Sequence, residues 1–283
     1  MVYTKIEIEL PDHLHEYFIA ELMDLDFYGF EQSDNRLSAY VEQSRFNDTN
    51  REYIEQLIGI QPNANLIQIE EVQEQNWNES WERTIQPQRI GSFYVKPTWS
   101  RQQPGKDDIL LEIDPKMAFG TGYHATTRLM LNSIQKMALH GKSVLDAGTG
   151  TGILAIAAVK LGASEALGFD TDIWSKQNAE ENILINGVKE EVEIRHGSIK
   201  TVHLDEIFDV TLANINRNEI LEMLQELVNH TSIGGSITLS GLLAEDFERI
   251  DQKAQKYGLE LIDMEKEADG EDLWIVIRYE KNS

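Results

Sequence analysis

Apolar and polar positions repeat with two different periods over the first 73 residues. Lys5–Leu10, Arg36–Glu42 and Asn65–Val72 alternate with period two, which predicts three strands. Between Leu14 and Leu25 the apolar residues fall on one face of a helix, and Thr49–Ile58 predicts a second helix. The order of these elements is β-α-β-α-β, which is typical of a small α+β domain.

Beyond residue 88 the chain predicts a larger β/α domain. Strands alternate with helices from Lys142 onward, and two strands without a helix between them close the chain. The predicted strands are Arg89–Val95, Asp108–Ile113, Ser143–Asp146, Ala166–Asp170, Val192–His196, Asp209–Ala213, Ser236–Leu243, Glu260–Glu267 and Leu273–Tyr279. The predicted helices are Leu129–Met137, Ile153–Leu161, Trp174–Ile185, Glu219–Asn229 and Phe247–Tyr257.

These elements predict an α/β fold with two domains. Strands joined by helices form a parallel sheet with right-handed crossovers, and the short link Ala268–Asp272 forces the last two strands to be antiparallel. Such a doubly wound sheet resembles the methyltransferase variant of the Rossmann architecture. Residues 1–73 resemble a ferredoxin-like domain whose last strand is missing or supplied later. We therefore divide the chain into residues 1–73, a connector over 74–88, and residues 89–283. In the connector, Trp77 and Trp81 lie one helical turn apart, which favours packing between the domains over contact with a substrate.

Composition restricts the partners. The chain of 283 residues has no cysteine, so disulfides and thiolate metal sites are excluded. No apolar run approaches the roughly 20 residues of a membrane span, and a soluble cytoplasmic protein is the simplest interpretation. The net charge of −24 disfavours direct binding to nucleic acid and would attract a basic protein. A net charge of this size would equally keep the protein soluble.

A glycine loop follows the first strand of the large domain. Gly148, Gly150 and Gly152 lie where this strand turns into its helix, with Asp146 before them. A dinucleotide fingerprint needs a third glycine at Ile153, so that pattern fails. The G-x-G-x-G spacing instead resembles the first motif of S-adenosylmethionine methyltransferases. In that reading Asp146 attracts the cofactor's ammonium, directly or through water.

Two further positions follow the next strands. Asp170 ends the second strand, 24 residues after Asp146, where an acid binds ribose hydroxyls in Rossmann-type sites. Asp172 is the alternative. Ser198 follows the third strand, where many relatives of this fold place an acid near the adenine amino group. Main-chain amides of Ser198 or Ile199 would replace that contact.

Two segments address the chemistry. In Phe119–Thr127, Phe119 is suited to cover an aromatic cofactor face, Thr121 to hold polar groups, and Thr126 or Thr127 to cap the following helix. His124 is a candidate base, with a structural role favoured. Asn214 ends the fourth strand, where ligands bind in open α/β sheets, and its amide would accept hydrogen bonds from an amine.

Together these segments resemble the ribosomal protein L11 methyltransferase family over most of the chain. Its Phe-Gly-Thr-Gly-x-His-x-Thr-Thr loop runs here from Phe119 to Thr127, with Ala125 in place of a proline. Its Asn-Ile-Leu motif is Asn214-Ile215-Asn216 here. The resemblance implies transfer of methyl groups from S-adenosylmethionine to lysine ε-amino groups and an N-terminal α-amino group of L11, the protein at the base of the ribosomal stalk. It also implies that Phe119, Thr121, Thr126 and Asn214 contact the cofactor and that Asn214 orients the amine.

Two other function classes stay open at this point. One is a methyltransferase of a nucleic-acid base or small molecule, although the proline-proline-aromatic sequel of such enzymes is absent after Asn214. The other is an inactive, cofactor-binding module of ribosome assembly. On the first interpretation we expect a monomer that needs no metal and takes free or ribosome-bound L11 as its partner.

Overall fold

In the computed structural model the chain divides into two compact units, Met1–Trp77 and Asn78–Ser283. The structure describes residues 2–23, 25–27, 29–33, 35–61, 63–73, 85–116, 118–270 and 272–282. The predicted tryptophan pair Trp77 and Trp81 lies outside the described residues. No helix among the described residues is long and apolar enough to cross a membrane.

The first unit is a four-stranded antiparallel sheet with two helices. The elements run β1 Val2–Glu9, α1 His15–Met23, β2 Gly29–Ser33, β3 Arg36–Glu42, α2 Asp48–Gly59 and β4 Asn65–Gln73. The strand order is β2-β3-β1-β4, and each neighbouring pair is antiparallel. With β-α-β-β-α-β connectivity this is a ferredoxin-like fold. Alternate residues such as Ile6, Ile8 and Leu37 are buried against helix residues such as Phe18 and Ile54.

One strand of this unit was missing from the sequence-based prediction. The last strand is present as Asn65–Gln73, and the strand without a predicted counterpart is β2. β2 lies at the sheet edge, and its last three residues, Glu31, Gln32 and Ser33, are exposed. Only Phe30 of this edge strand packs against the core, so a period-two alternation of apolar residues is absent.

The second unit begins with a small three-stranded sheet. Its strands are β5 Gln88–Ile90, β6 Phe93–Lys96 and β7 Ile109–Glu112, in that order. The prediction of one strand over Arg89–Val95 is wrong, because the chain reverses at Gly91, whose φ is +60°. The β5 and β6 strands therefore pair with each other as an antiparallel hairpin.

The main sheet of the second unit has seven strands and confirms the predicted fold class. Its strands are β8 Ser143–Ala147, β9 Glu165–Asp170, β10 Val192–His196, β11 Phe208–Asn214, β12 Thr231–Leu243, β13 Leu259–Asp269 and β14 Asp272–Lys281. Its helices are α3 Ala125–Ile134, α4 Ile153–Lys160, α5 Ile173–Asn186, α6 Arg217–Asn229 and α7 Phe247–Lys256. The order is β10-β9-β8-β11-β12-β14-β13, with parallel pairs from β10 to β12. β14 is antiparallel to both of its neighbours, as the short terminal link predicts.

Both faces of this sheet are covered. Val144 and Leu212 point into one apolar cluster, whereas their chain neighbours Leu145 and Ala213 point into the other. Strands buried on two faces are apolar at consecutive positions, as parallel sheets require. The carboxyl ends of the parallel strands, with the loops that leave them, form the edge where ligands bind in open α/β sheets.

Candidate functional site

A cavity of about 580 Å³ lies along the carboxyl ends of the parallel strands. Seven of the ten site residues predicted from sequence line it: Phe119, Thr126, Gly148, Gly150, Asp170, Ser198 and Asn214. Thr121, Asp146 and Gly152 do not line it. Thr121 accepts a hydrogen bond from the main-chain amide of Tyr123, and Gly152 is the N-cap of α4.

The glycine loop and the Phe119 loop form one continuous structure. Gly150 has φ +54°, and a Cβ on it would lie 2.3 Å from the carbonyl oxygen of Phe119. That carbonyl accepts a hydrogen bond of 2.9 Å from the Thr151 amide. The Thr151 hydroxyl donates to the carbonyl of Gly120 at 2.6 Å. The glycine at position 150 is therefore required both by its backbone conformation and by the close approach of Phe119.

Asp170 faces the cavity, whereas Asp172 is used by the helix that follows. The main-chain amides of Gly150 and Asp172 donate to the two carboxylate oxygens of Asp170 at 3.0 and 2.9 Å. Asp172 caps α5 by accepting from the amides of Trp174 and Ser175. The hydrogen bond from the Trp174 amide is the main reason that the pKa of Asp172 lies below its ordinary value. Of the two predicted alternatives, only Asp170 is placed to meet a ligand in this cavity.

Asp146 lies beneath the loop as a fully buried carboxyl group. One of its oxygens accepts from the Thr149 hydroxyl at 2.6 Å, and Oδ1 has no hydrogen-bond partner among the described residues. Burial raises the pKa of Asp146 to about 6, although the Thr149 hydroxyl and the nearby Ala155 amide act in the opposite direction. A buried, half-satisfied carboxylate is costly, and a cationic donor bound nearby would offset that cost.

His124 has a structural role at one wall of the cavity. It is the N-cap of α3, where its Nδ1 accepts from the Thr126 amide at 3.3 Å and lies 2.8 Å from the Thr126 hydroxyl. The prediction that Thr126 or Thr127 caps this helix is therefore wrong. The helix also begins earlier than predicted, at Ala125.

An aromatic cluster surrounds this histidine. The rings of Phe119 and Trp274 meet the His124 imidazole edge to face, with centroids 5.4 and 4.7 Å away. Phe119 and Trp274 both line the cavity. Sequence reasoning missed Trp274, because a tryptophan in a strand usually indicates core packing.

Asn214 carries an unsatisfied acceptor at the end of β11. Its Oδ1 is buried and has no hydrogen-bond partner among the described residues. The neighbouring Asn216 also lines the cavity, but its side chain caps α6 by accepting from the Glu219 amide at 3.1 Å. Asn214 is thus the asparagine of this motif whose oxygen is left to receive a donor from a ligand.

Three buried asparagines on α5 were not predicted from the sequence, and one of them binds the main chain of the glycine loop. Asn178, Asn182 and Asn186 recur every four residues on one face of the helix. Asn182 donates to the carbonyls of Asp114 and Thr151 and accepts from the Asp114 amide. The i, i+4, i+8 spacing of asparagines was a signal that could have revealed them, since a buried amide on a helix must find main-chain partners.

The residues of the cavity fit S-adenosylmethionine. Phe119, Phe169 and Trp274 provide flat apolar walls for an adenine ring, and Asp170 provides an acceptor for sugar hydroxyls. Ser198 also lines this part of the cavity, at the start of a short 3-10 helix over Ile199–Thr201. The buried, unpaired Oδ1 of Asp146 lies below the loop that would receive a charged amino acid moiety. The unpaired Oδ1 of Asn214 in the cavity indicates a ligand that carries an N–H donor.

Comparisons with known proteins show which family the chain resembles. A sequence model of the family described as "Ribosomal protein L11 methyltransferase (PrmA)" matches residues 6–282. A ribosomal protein L11 methyltransferase of Porphyromonas gingivalis is 36% identical over 298 residues, covering 100% of this chain and 99% of the relative. One from Chlorobaculum parvum is 36% identical over 252 residues, covering 86% of each protein. The crystal structure of a ribosomal protein L11 methylase from Lactobacillus delbrueckii subsp. bulgaricus superimposes with a TM-score of 0.63 and 30% identity, covering 70% of this chain and 100% of that one.

Proposed function

The chain belongs to the ribosomal protein L11 methyltransferase family, and from that premise we propose that its cavity methylates lysine ε-amino groups and an N-terminal α-amino group of L11. Methylation of L11 that depends on S-adenosylmethionine is the function of this family, and the chain is accordingly a protein methyltransferase with S-adenosylmethionine as methyl donor. The observation that carries the proposal is the buried, unpaired Oδ1 of Asn214 in the same cavity as the glycine loop and Asp170.

We assign the cofactor to the half of the cavity formed by the glycine loop, Asp170 and Ser198. Asp170 would hold the ribose, Phe119 would cover the adenine, and main-chain amides near Ser198 would meet its polar edge. Thr126 lines the same wall, whereas Asp146 would act on the ammonium through a water, because it does not reach the cavity. When bound, the sulfonium supplies an electrophilic methyl group, so these residues need only bind and orient.

The remaining task of the protein is to present a neutral amine in line with that methyl group. A free lysine has a pKa of about 10.4, so roughly one in 2,500 is neutral at pH 7. Enclosure in an apolar cavity lowers the pKa of the amine. The Oδ1 of Asn214 would accept one N–H of the amine and thereby fix the direction of its lone pair. Alignment of this kind contributes several kcal/mol to a bimolecular reaction. The proton of the ammonium form would leave to solvent before transfer. The methyl group would then pass from sulfur to the neutral nitrogen, which would give a thioether and a methylated ammonium.

We further propose that the ferredoxin-like unit selects the substrate and that the reaction takes place in the cytoplasm as L11 is made or assembled. The net charge of −24 supports a basic protein substrate rather than a grip on RNA. Monomeric action remains a prediction.

The test is transfer of radiolabelled methyl from S-adenosylmethionine to ribosomal proteins of a strain that lacks this activity, resolved by mass. Label on L11 is expected, and ribosomal proteins from a strain with the activity serve as the control, because their sites are already filled. Label in RNA would favour the nucleic-acid alternative. Cofactor binding without any labelled product would favour an inactive module.

A further inference from the structure

We propose that Glu219 binds the protonated amine of the substrate at the mouth of the cavity and thereby makes the site selective for cationic side chains. The inference rests on the proposed function and adds a residue that the reasoning from sequence did not single out as a site residue. Two observations support it: residues of α6 line the cavity, and Glu219 has no cationic partner among the described residues.

Three residues at the N-cap and in the first turns of α6 line the cavity. Asn216, Glu219 and Met223 are spaced i, i+3 and i+7 and all contribute to the lining. The adjoining face of α6 is buried in the core through residues such as Ile220 and Leu224. Because the Asn216 side chain caps the helix through the Glu219 amide, the main chain at Glu219 is fixed relative to the cavity.

Of the two acidic residues that line the cavity, Glu219 is the one whose carboxylate is available to a ligand. The other lining carboxylate, Asp170, accepts hydrogen bonds from two main-chain amides and supports the glycine loop. Glu219 makes no side-chain hydrogen bond or ion pair with the residues that the structure describes. The nearest arginine in sequence, Arg217, is turned to Asp246 with 2.8 Å between Nη1 and Oδ1. An exposed carboxylate without a counter-ion at the rim of a cavity attracts a cation.

The order of these residues matches the chemistry of a lysine side chain. Met223 offers an apolar surface to the methylene stem, and Glu219 offers a charge to the ammonium. A carboxylate stabilises the protonated amine, which cannot accept a methyl group. The amine must therefore pass from Glu219, which is exposed, to Asn214, whose acceptor oxygen is buried. Glu219 thus acts on substrate capture and Asn214 on the transfer step.

The experiment compares the full-length wild-type protein with Glu219→Gln, Glu219→Asp and Glu222→Gln. Glu222 lies on the same helix, is exposed and does not line the cavity, so Glu222→Gln makes the same change in net charge away from the site. Each protein is assayed for kcat and KM with L11. Inhibition constants are measured for Nα-acetyl-lysine amide, which is cationic, and for its neutral analogue Nα-acetyl-norleucine amide. Affinity for S-adenosylhomocysteine checks that the fold and the cofactor half are intact.

We expect Glu219→Gln to raise KM for L11 about threefold to tenfold with little change in kcat, as for loss of one partly exposed charged contact. Its preference for the cationic inhibitor should fall by the same factor. Glu219→Asp should retain much of the preference, and Glu222→Gln should behave like wild type. Unchanged KM and preference in Glu219→Gln, or equal losses in Glu222→Gln, would overturn the inference. In either case wild-type methylation of L11 would leave the proposed function standing, whereas no methylation by the wild type would overturn both.

Discussion

The buried carboxyl group of Asp146 makes the stability of the second unit depend on pH in a calculable way. Its pKa is about 6 in the folded protein and 3.8 for an ordinary aspartate. The folded state therefore holds this proton more tightly than the unfolded state, and ionisation of Asp146 destabilises the fold. The stability associated with the protonated group is fully present below pH 3.8 and is lost as the pH rises through 6.

The size of the effect follows from the linkage relation. At 1.36 kcal/mol per pKa unit, the shift corresponds to about 3 kcal/mol of destabilisation above pH 7, roughly half of which develops between pH 5 and pH 8. Asp146→Asn has nearly the same shape, does not ionise and keeps an acceptor for the Thr149 hydroxyl. We therefore expect the free energy of unfolding of Asp146→Asn, relative to wild type, to rise by about 1–2 kcal/mol between pH 5 and pH 8.

The assay is urea unfolding of both proteins at several pH values, without cofactor and with two spectroscopic probes to check that one transition is followed. Any fixed cost of the amide cancels, because only the change with pH is used. Asp209→Asn is the control. The pKa of Asp209 lies below its ordinary value, although burial opposes this, because the Ser143 amide and Lys142 stabilise its charge. Its contribution to stability is lost only below pH 4, so its difference from wild type should stay flat from pH 5 to 8. A flat difference for Asp146→Asn as well would refute the argument.

Three further substitutions test the site. Gly150→Ala should weaken cofactor binding by roughly tenfold or more in calorimetry, because position 150 has a φ of +54° and a Cβ there would contact the Phe119 carbonyl. The control Gly187→Ala has a similar φ of +68° but open space around it, and it should leave cofactor binding unchanged. Asn214→Ala should lower kcat by roughly tenfold or more with unchanged cofactor affinity, and unchanged turnover in a steady-state assay would exclude its orienting role. Asn182→Ala should lower the free energy of unfolding, measured by urea denaturation, by about 2–4 kcal/mol, because three main-chain groups lose a hydrogen-bond partner. A loss below about 0.5 kcal/mol would show that water replaces the side-chain amide.

Much of the fold was accessible from local patterns, and the exceptions have a common cause. The strands Arg36–Glu42 and Val192–His196 have the bounds that the sequence predicts, because burial of one or both faces leaves an apolar signature. The edge strand β2 and the hairpin between β5 and β6 were missed or merged. Their existence depends on partners elsewhere in the chain and on one turn at Gly91 rather than on their own periodicity.

Some residues of the site can likewise be predicted from the local sequence, and others cannot. The glycine loop, Asp170 and Asn214 follow strand ends, and the geometry of a parallel sheet brings such residues together. Trp274 and Glu219 face the same cavity but lie in a terminal strand and on a helix, with nothing local to distinguish them from core or solvated residues. His124, and not a threonine, caps α3, because the cap depends on the dihedral angles at the helix start.

The sequence by itself determined the two-part α/β architecture, the cofactor loop and the family resemblance, because each rests on residues close together in the chain. Only the tertiary structure decided which aspartate lines the cavity, that Asp146 is buried beneath the glycine loop, and which residues of α6 line the cavity. Burial and unpaired polar atoms are properties of atoms brought together from distant parts of the chain. A local sequence pattern cannot predict these properties, because the same residue is exposed to water in one fold and buried without a hydrogen-bond partner in another.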